Sequence, residues 1–407
     1  MLKTMRWVPA TLLATTALLA GCGGSNSSST TNVAPTAFSE QGQADFSGVF
    51  PNRNTVASAN TLASPTGSIA TNGALFYVAD TNNNRVLVYR SPPALNGAAA
   101  DFVIGQPDLA TTAPGVGTAT VLGLSHPSKV AIAGNRLVIT DSGNNRVLIW
   151  NALPTTAGTS FTTPPDVVVG QADKVSKVAA TSQTGLNNPT GAMIAANMLI
   201  VADRNNNRVL VWNTIPTTNG APASLVLGEP DFVTATAQFA AANTLANPVD
   251  VWSDGYYLLV SDSGNNRVLY WNQFPNSNGA NANFVLGQSS FTSSTSSLGG
   301  AAAMRTPSGV YSDGQRVFVA DAGNSRVLVF NNFPIFNGAS AYTAYGQGDL
   351  LHYTANDDDQ NNTSDVNSSG QSIATARTLA TPTGVYAANG VVYVSDTFNN
   401  RLMQFSY

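Results

Sequence analysis

Charged side chains are scarce in this sequence, and histidine, glutamate and cysteine are scarcer still. Only 10% of the 407 residues are charged, and the formal net charge is −4. Without a basic patch the chain lacks the electrostatic footprint of a nucleic-acid-binding protein, so nucleic acid is not an expected partner. The single cysteine excludes a disulfide framework.

Groups that commonly carry catalysis are also missing. The two histidines are His126, in "LSHPS", where a structural role is expected, and His352. The chain has no H-E-x-x-H, no G-x-S-x-G and no Walker loop. A zinc site with several histidine ligands is excluded for the same reason. The two glutamates, Glu40 and Glu229, both fall in a recurring outer-strand motif. The composition therefore favours binding over catalysis.

The amino terminus predicts export. Lys3 and Arg6 precede an apolar segment, residues 7–20, that is too short to cross a membrane. It ends in "LAGC", which resembles the lipobox of bacterial lipoproteins. The resemblance implies that residues 1–21 are a signal peptide and that Cys22 becomes the lipidated first residue. Residues 22–36 then form a flexible polar tether.

This leader implies a location in the bacterial cell envelope. Several acyl chains on one residue hold a protein stably at a membrane, whereas a single chain binds only marginally. Gly23 follows Cys22, where an aspartate would favour retention at the inner membrane. The outer membrane is therefore the expected site.

A segment resembling "VADTNNNRVLVY" occurs six times, at intervals of about 60 residues and a longer last interval. Each copy has an aspartate, four intervening residues, an arginine and a short apolar run. The pairs are Asp80 and Arg85, Asp141 and Arg146, Asp203 and Arg208, Asp262 and Arg267, Asp321 and Arg326, and Asp396 and Arg401. A Leu-x-x-Pro anchor precedes each copy, with Met304 replacing leucine once, and a Gly-Gln or related motif follows the first five. A fixed period of this size indicates a repeat architecture.

Short β-branched and aromatic runs between these anchors predict four antiparallel strands per repeat. Six such repeats predict a six-bladed β-propeller, a single all-β domain over residues 37–407. The sixth repeat reaches Tyr407 after three strands, whereas residues 37–46 match the outer-strand segment 341–350. We therefore expect the N-terminal strand to complete the last blade and close the ring, which removes exposed sheet edges.

The pattern P-[ST]-G-V followed by V-[AS]-D-x-x-N-N-R-[VL] resembles the NHL repeat, which implies the same six-bladed fold. The resemblance covers most of residues 37–407. Family members often carry a histidine where this chain has asparagine or, once, serine. These positions are Asn84, Asn145, Asn207, Asn266, Ser325 and Asn400.

The recurring aspartates and arginines are interpreted as structural. The aspartate ends the second strand and can accept hydrogen bonds from amides of the following turn, while the arginine can clamp it in a bidentate pair. One pair per blade balances the charge around the ring. An aromatic or other large ring closes each third strand and is expected to pack between sheets: Tyr89, Trp150, Trp212, Trp271, Phe330 and Phe405.

Specific function is expected where the repeats differ. The long connections between blades lie on the same face as the Asp–Arg turns, and the segment 351–378 is the longest of them. It carries Asp357, Asp358, Asp359 and Asp365 among asparagine and glutamine. These oxygen ligands could hold Ca²⁺, but they lack a fixed calcium-loop frame, so a solvated loop is favoured.

The sequence favours a lipid-anchored binding or sensor scaffold that presents its loops to a protein, peptide or glycan. NHL propellers elsewhere serve as protein-binding or sensor domains. The alternative is a calcium-dependent hydrolase similar to the propeller lactonases, with a metal in the central channel. Asp250, Asn188 and Asn247 depart from the repeat pattern and are its candidate channel residues.

Overall fold

The protein forms a ring of six β-sheets in a computed structural model that describes residues 34–67, 69–115 and 122–407. The predicted signal peptide, Cys22 and the tether up to residue 33 lie outside the described residues. Within the described ranges no α-helix is present, and no helix is long and apolar enough to cross a bilayer. The all-β prediction is confirmed.

Each blade is an antiparallel sheet whose strands run from the channel outward. Blade 1 contains Ala70–Thr71, Phe76–Asp80, Arg85–Tyr89 and Phe102–Ile104. Blade 2 contains Pro127–Ala133, Arg136–Asp141, Arg146–Trp150 and Val167–Val169. Blade 3 contains Pro189–Ala195, Met198–Asp203, Arg208–Trp212 and Leu225–Leu227.

Blades 4 to 6 repeat this order. Blade 4 contains Pro248–Ser253, Leu258–Asp262, Arg267–Trp271 and Phe284–Leu286. Blade 5 contains Pro307–Ser312, Val317–Asp321, Arg326–Phe330 and Thr343–Tyr345. Blade 6 contains Pro382–Ala388, Val391–Asp396, Arg401–Ser406 and the N-terminal strand Ser39–Gln41. Short 3₁₀ turns occupy Pro51–Asn54, Thr81–Asn83, Ser142–Asn144, Arg204–Asn206, Ser263–Asn265, Ala322–Asn324 and Thr397–Asn399.

Blade 1 departs from the predicted four strands. A fifth strand, Ser160–Phe161, pairs in parallel with its outer strand Phe102–Ile104. This extra strand belongs to the connection between the third and outer strands of blade 2. An outer strand has unpaired backbone groups along its free edge, and the neighbouring connection covers this edge by adding a strand.

The ring is closed by the predicted pairing of its two ends. Ser39–Gln41 lies antiparallel to Arg401–Ser406, with Glu40 opposite Met403. Glu40 is fully buried, and burial raises the pKa of its carboxyl to about 7. Its Oε2 accepts a hydrogen bond from the Gln43 amide at 3.1 Å. The closing strand thus carries a buried acid as well as backbone pairing.

The hydrophobic core lies between blades. The second and third strands are buried along nearly their whole length, because both faces of a blade pack against neighbouring blades. The six rings predicted to pack between sheets are each at most 3% exposed. Burial on both faces explains why these strands are apolar runs with little alternation of apolar and polar residues.

The Asp–Arg turn connects three segments of chain, as blade 3 illustrates. Arg208 Nε donates to Asp203 Oδ2 at 2.7 Å, and both side chains are 0% exposed. Its Nη1 donates to the Phe232 carbonyl in the connection that follows the blade. Its Nη2 donates to the Ser182 and Gly185 carbonyls in the connection that precedes it. The arginine therefore holds both connections of its blade as well as its own aspartate.

The aspartate's donors differ from the predicted ones. Asp203 Oδ1 accepts the Asn187 amide at 2.7 Å, which lies in the Leu-x-x-Pro anchor and not in the turn. Oδ2 accepts the side-chain amide of Asn206 at 2.8 Å in addition to the arginine. The predicted bidentate pair is also wrong, because the Nη groups are used for backbone carbonyls. The same pattern occurs in all six blades, with Asp–Arg distances of 2.6 to 2.9 Å.

The residue in the family's histidine position links successive blades. Asn145 has a left-handed backbone, with φ of 53°, and its Oδ1 accepts the Asn188 amide of blade 3 at 2.7 Å. Its Nδ2 donates to the Lys177 carbonyl at 3.0 Å. Asparagine suits this position because it tolerates the left-handed region and has both a donor and an acceptor. Ser325 of blade 5 makes only a long contact, 3.5 Å, to the Thr381 amide.

The Gly-Gln motif has a matching role, with one exception. Gln171 Nε2 donates to the Asn145 carbonyl at 2.8 Å and to the Val178 carbonyl at 3.0 Å. Gln43, Gln106, Gln288 and Gln347 make equivalent bonds. Glu229 occupies this position in blade 3, where an ionised carboxylate cannot donate. Its Oε1 has no hydrogen-bond partner among the described residues, and burial raises its pKa.

We expect Arg208→Met to reduce the free energy of unfolding by about 3–5 kcal/mol, because it leaves the Asp203 carboxylate buried without its partner charge. Chemical denaturation at pH 7 measures this change. Arg90→Met is the matched control, since the Arg90–Asp101 pair is half exposed and should contribute about 1 kcal/mol or less. Equal losses in the two variants would contradict the assigned role of the buried pair.

We expect Glu229→Gln to stabilise the protein by about 1 kcal/mol at pH 8, because glutamine supplies the donor that this position uses in the other blades. The raised pKa means that the native state favours protonated Glu229. The parent's stability should therefore fall as pH rises from the unfolded-state pKa of about 4.3 through the higher native value, and the advantage of glutamine should shrink towards pH 4. Unfolding curves of both proteins from pH 4 to 8 measure the difference. A difference that is constant with pH would refute this explanation.

Candidate functional site

The two faces of the ring differ in what they display. We call the face with the six Asp–Arg turns and the connections between blades the turn face. The opposite face, formed by the turns between inner and second strands, is the hairpin face. The hydrogen bonds from Arg208 to both connections of its blade confirm that turns and connections share one face.

The Asp–Arg pairs themselves are unavailable to a ligand. Burial raises the pKa of Asp203, while the charge of Arg208 acts in the opposite direction. All twelve side chains are at most 1% exposed. Their hydrogen bonds run to the scaffold, as the structural interpretation predicted, so the candidate site must lie elsewhere.

The narrowest layer of the channel lies two residues after each anchor proline. Four blades have glycine there: Gly67, Gly191, Gly309 and Gly384. A Cβ at Gly309 would stand 2.9 Å from the Gly384 Cα, and one at Gly191 would stand 2.7 Å from Asp250 Oδ1. The inner strands approach so closely that a side chain at these glycines would clash.

Lys129 and Asp250 occupy this position in blades 2 and 4, and they meet across the channel. Lys129 Nζ forms an ion pair with Asp250 Oδ1 and donates to the Val251 carbonyl at 3.1 Å. Asp250 also accepts the amides of Val251 and Val310, at 2.8 and 3.2 Å. Both side chains are at most 7% exposed. The pair divides the channel into two chambers.

The chamber on the turn face has a volume of about 360 Å³ and is lined by hydroxyl groups. Many of these hydroxyls bond to one another or to the next blade. Thr66 contacts Thr81 at 2.6 Å, and Thr81 donates to the Pro127 carbonyl at 2.8 Å. Ser142 makes the equivalent bond to the Pro189 carbonyl at 2.5 Å. These hydroxyls tie neighbouring blades together, which sequence reasoning missed although a hydroxyl recurs after most anchor prolines.

The predicted channel residues are placed as follows. Asp250 and Asn188 line the turn-face chamber. Asn247 lies in the blade 4 anchor, where its amide donates to Asn207 Oδ1 at 2.9 Å. His126 also lines this chamber, and its amide donates to Asn84 Oδ1 at 2.8 Å, a role shared by the residue before each anchor proline. The expected structural role of His126 is thus supported by its backbone contact.

The acidic segment 351–378 is folded, although a solvated loop was favoured. Asp357 is 0% exposed and accepts the amides of Asn361 and Asn362 at 3.0 and 2.7 Å. Asp358 pairs with Arg377, with Nε to Oδ1 at 2.8 Å. Local hydrogen bonds from asparagine-rich turns order this segment, a feature that composition does not reveal.

The remaining acids of the segment also have local partners. Asp365 Oδ2 accepts the Asp358 amide at 2.8 Å, and Asp359 Oδ2 accepts the Asn361 side chain at 2.9 Å. No group of three or more histidine, cysteine, aspartate or glutamate side chains suited to a metal is found among the described residues. Within 351–378, the carboxylates hold the loop's own turns.

The chamber on the hairpin face is smaller and apolar. It encloses about 190 Å³, and its walls include Ile132, Met193, Trp252, Tyr311 and Tyr386, with Lys129 at the inner end. Sequence reasoning missed this chamber. The departure of Lys129 from the glycine repeat was a usable signal, but the convergence of the rings depends on the curvature of the sheet.

The comparisons with known proteins agree with the repeat pattern. The NHL repeat model matches residues 124–150 and 304–330, which contain the turns of blades 2 and 5. No match is found among curated proteins. An auxiliary nutrient binding protein from Bacteroides thetaiotaomicron is 13% identical, with 91% of this chain and 76% of that chain covered and a TM-score of 0.48.

Virginiamycin B lyase from Staphylococcus aureus is 8% identical, with 86% of this chain and 98% of that chain covered and a TM-score of 0.44. These two structural likenesses are too distant to support any argument about this chain. The family assignment follows from the matched repeats together with the six blades, each of which carries the same buried turn. The chain belongs to the NHL-repeat β-propellers.

Proposed function

We propose that this propeller is a binding or sensor scaffold of the bacterial cell envelope that presents its turn face to a protein, peptide or glycan. In this proposal a lipid on Cys22 holds the chain at the membrane, with the outer membrane as the favoured location. The tether of residues 22–36 then separates the ring from the lipid surface.

The observation that carries the proposal is the way each arginine holds the connections. Arg267 donates to the Phe291 carbonyl after its blade and to the Ala241 and Thr244 carbonyls before it, the latter two at 2.8 and 2.9 Å. The bases of the connections are therefore fixed while their outer parts differ in sequence. Rigid loop bases with variable tips favour specific binding, because less conformational entropy is lost when a ligand binds.

Exposed apolar side chains on these connections support the same proposal. Phe239 is 98% exposed, Val56 80% and Val178 74%, and Phe398 in the blade 6 turn is 68% exposed. Large apolar groups on one face are typical of interaction surfaces. The aromatic rings are the stronger candidates for binding energy.

The calcium-dependent hydrolase is the less favoured function. A cation at Asp250 would have to displace the Lys129 ammonium, which already pairs with that carboxylate. A cation at Asp357 would compete with the two backbone amides that it accepts. Either site would therefore need a rearrangement before it could hold Ca²⁺.

The double variant Phe239→Ser, Phe398→Ser should weaken binding to the cognate envelope component by about tenfold or more, because two exposed rings are removed. Binding of the purified lipoprotein to peptidoglycan fragments, glycan arrays and defined envelope proteins is to be measured with parent and variant. The unfolding midpoint should stay unchanged, since both rings are exposed.

Ile335→Ser, Phe336→Ser is the matched control, because these residues are 78% and 60% exposed on the hairpin face. It should bind like the parent. If this control loses binding and the turn-face variant does not, the turn face is the wrong surface. A rise of several degrees in the midpoint with Ca²⁺, reversed by chelator, would favour the hydrolase.

Cys22→Ala should move the protein from the membrane fraction to the soluble periplasmic fraction and abolish metabolic labelling by a fatty acid, because the acceptor of the lipid is lost. Fractionation of cells that express the full chain measures both. Retention of label in the variant would refute lipidation at Cys22. Retention in the membrane without label would point to anchoring through a partner.

A further inference from the structure

The hairpin-face chamber has the composition of a small-molecule site, and it lies on the side of the ring opposite the proposed binding face. Its walls combine aromatic side chains from blades 4 to 6 with aliphatic side chains from blades 2 and 3. Trp252, Tyr311 and Tyr386 form one side, and Ile132 and Met193 form the other. The proposal below is therefore independent of the turn face.

The aromatic wall is packed before any ligand arrives. The rings of Tyr311 and Tyr386 have centroids 4.7 Å apart, and those of Trp252 and Tyr311 are 6.5 Å apart in an edge-to-face arrangement. Phe333 supports the outer side of Trp252 at 5.7 Å. A wall that is already ordered costs little conformational entropy on binding.

The volume limits the size of the ligand. The chamber encloses about 190 Å³. An apolar cavity of about 150 Å³ holds one benzene molecule, and drug-sized ligands use pockets of about 300–1,000 Å³. The chamber is therefore suited to one or two fused rings.

Its inner end decides the charge of the ligand. The Lys129 ammonium is already paired with the Asp250 carboxylate, so the floor is neutral overall. A buried anion would lie near Asp250, and a buried cation would lie near Lys129. Because an unpaired buried charge is costly, both are disfavoured. A neutral ring avoids this cost and buries its apolar faces against Trp252, Tyr311 and Met193.

An entry path lies directly beside the chamber. Trp252 and Tyr311 also line an open depression of about 780 Å³ on the hairpin face, together with Asp313, Arg316 and Tyr407. The Arg316 guanidinium stacks over the Tyr407 ring at 4.4 Å. A ligand can therefore enter from this depression without opening the ring or separating the Lys129–Asp250 pair.

We propose that the hairpin-face chamber binds an uncharged aromatic small molecule of one or two fused rings, seated between the Trp252–Tyr311–Tyr386 wall and the Met193–Ile132 side. The Lys129–Asp250 pair closes the inner end and selects against charged analogues. This site gives the propeller a small-ligand function at the face that the proposed macromolecular partner does not use.

Indole is the probe, titrated into the purified full-length lipoprotein by isothermal calorimetry. We expect saturable binding with one site per chain. Tryptamine and indole-3-carboxylate, which carry opposite charges on the same rings, should each bind about tenfold more weakly or worse. Absence of saturable indole binding, or equal binding of either charged analogue, would overturn the proposal.

Ala131→Phe places a ring in the chamber at a partly exposed lining position, and it should abolish indole binding. Ile132→Phe serves the same purpose if the first variant does not fold. Val249→Phe is the matched control, because it fills the turn-face chamber instead and should leave indole binding unchanged. Unchanged indole binding in a folded chamber-filling variant, or equal loss in the control, would show that indole binds elsewhere.

Discussion

The buried Asp–Arg pair at the second turn of every blade is the interaction on which the rest of the structure depends. It joins the second and third strands of its blade at their turn and holds the two connections that lead to the neighbouring blades. Two ions buried without water are stable only when every donor and acceptor has a partner. In this ring the partners are backbone groups of the connections, so the ion pair and the path of the chain stabilise each other.

Once this unit is repeated six times, the departures from it become informative. Lys129 and Asp250 replace glycine in two blades, and their pairing closes the channel. Glu229 replaces glutamine and leaves a buried oxygen without a partner among the described residues. A repeat architecture thus provides its own internal comparison, because equivalent positions share nearly the same backbone environment.

Closing the channel has a consequence for function. An open channel would connect the two faces, whereas the Lys129–Asp250 pair leaves two separate chambers with different linings. Hydroxyl groups on the turn side bond between blades, while aromatic and aliphatic groups surround the hairpin-side chamber. The two proposed binding functions can therefore operate without competing for the same space.

Much of the fold could be predicted from the sequence, because each repeat carries the same local signals for strands and turns. The number of blades followed from the copies of the turn, and closure followed from the match between residues 37–46 and the outer-strand segment of blade 5. The structural role of Asp203 and Arg208 was also correctly predicted. Their hydrogen-bond partners were not, since these lie up to 26 residues away along the chain.

What only the tertiary structure decided concerns contacts across the ring. Lys129 and Asp250 are 121 residues apart in sequence, and nothing local indicates that they meet. The aromatic chamber depends on the curvature that brings blades 2 to 6 around one axis, and the fifth strand of blade 1 comes from the neighbouring blade. Short-range patterns determine the blade because its strands are adjacent in the chain. The channel is determined by ring closure, because its walls come from every blade at once.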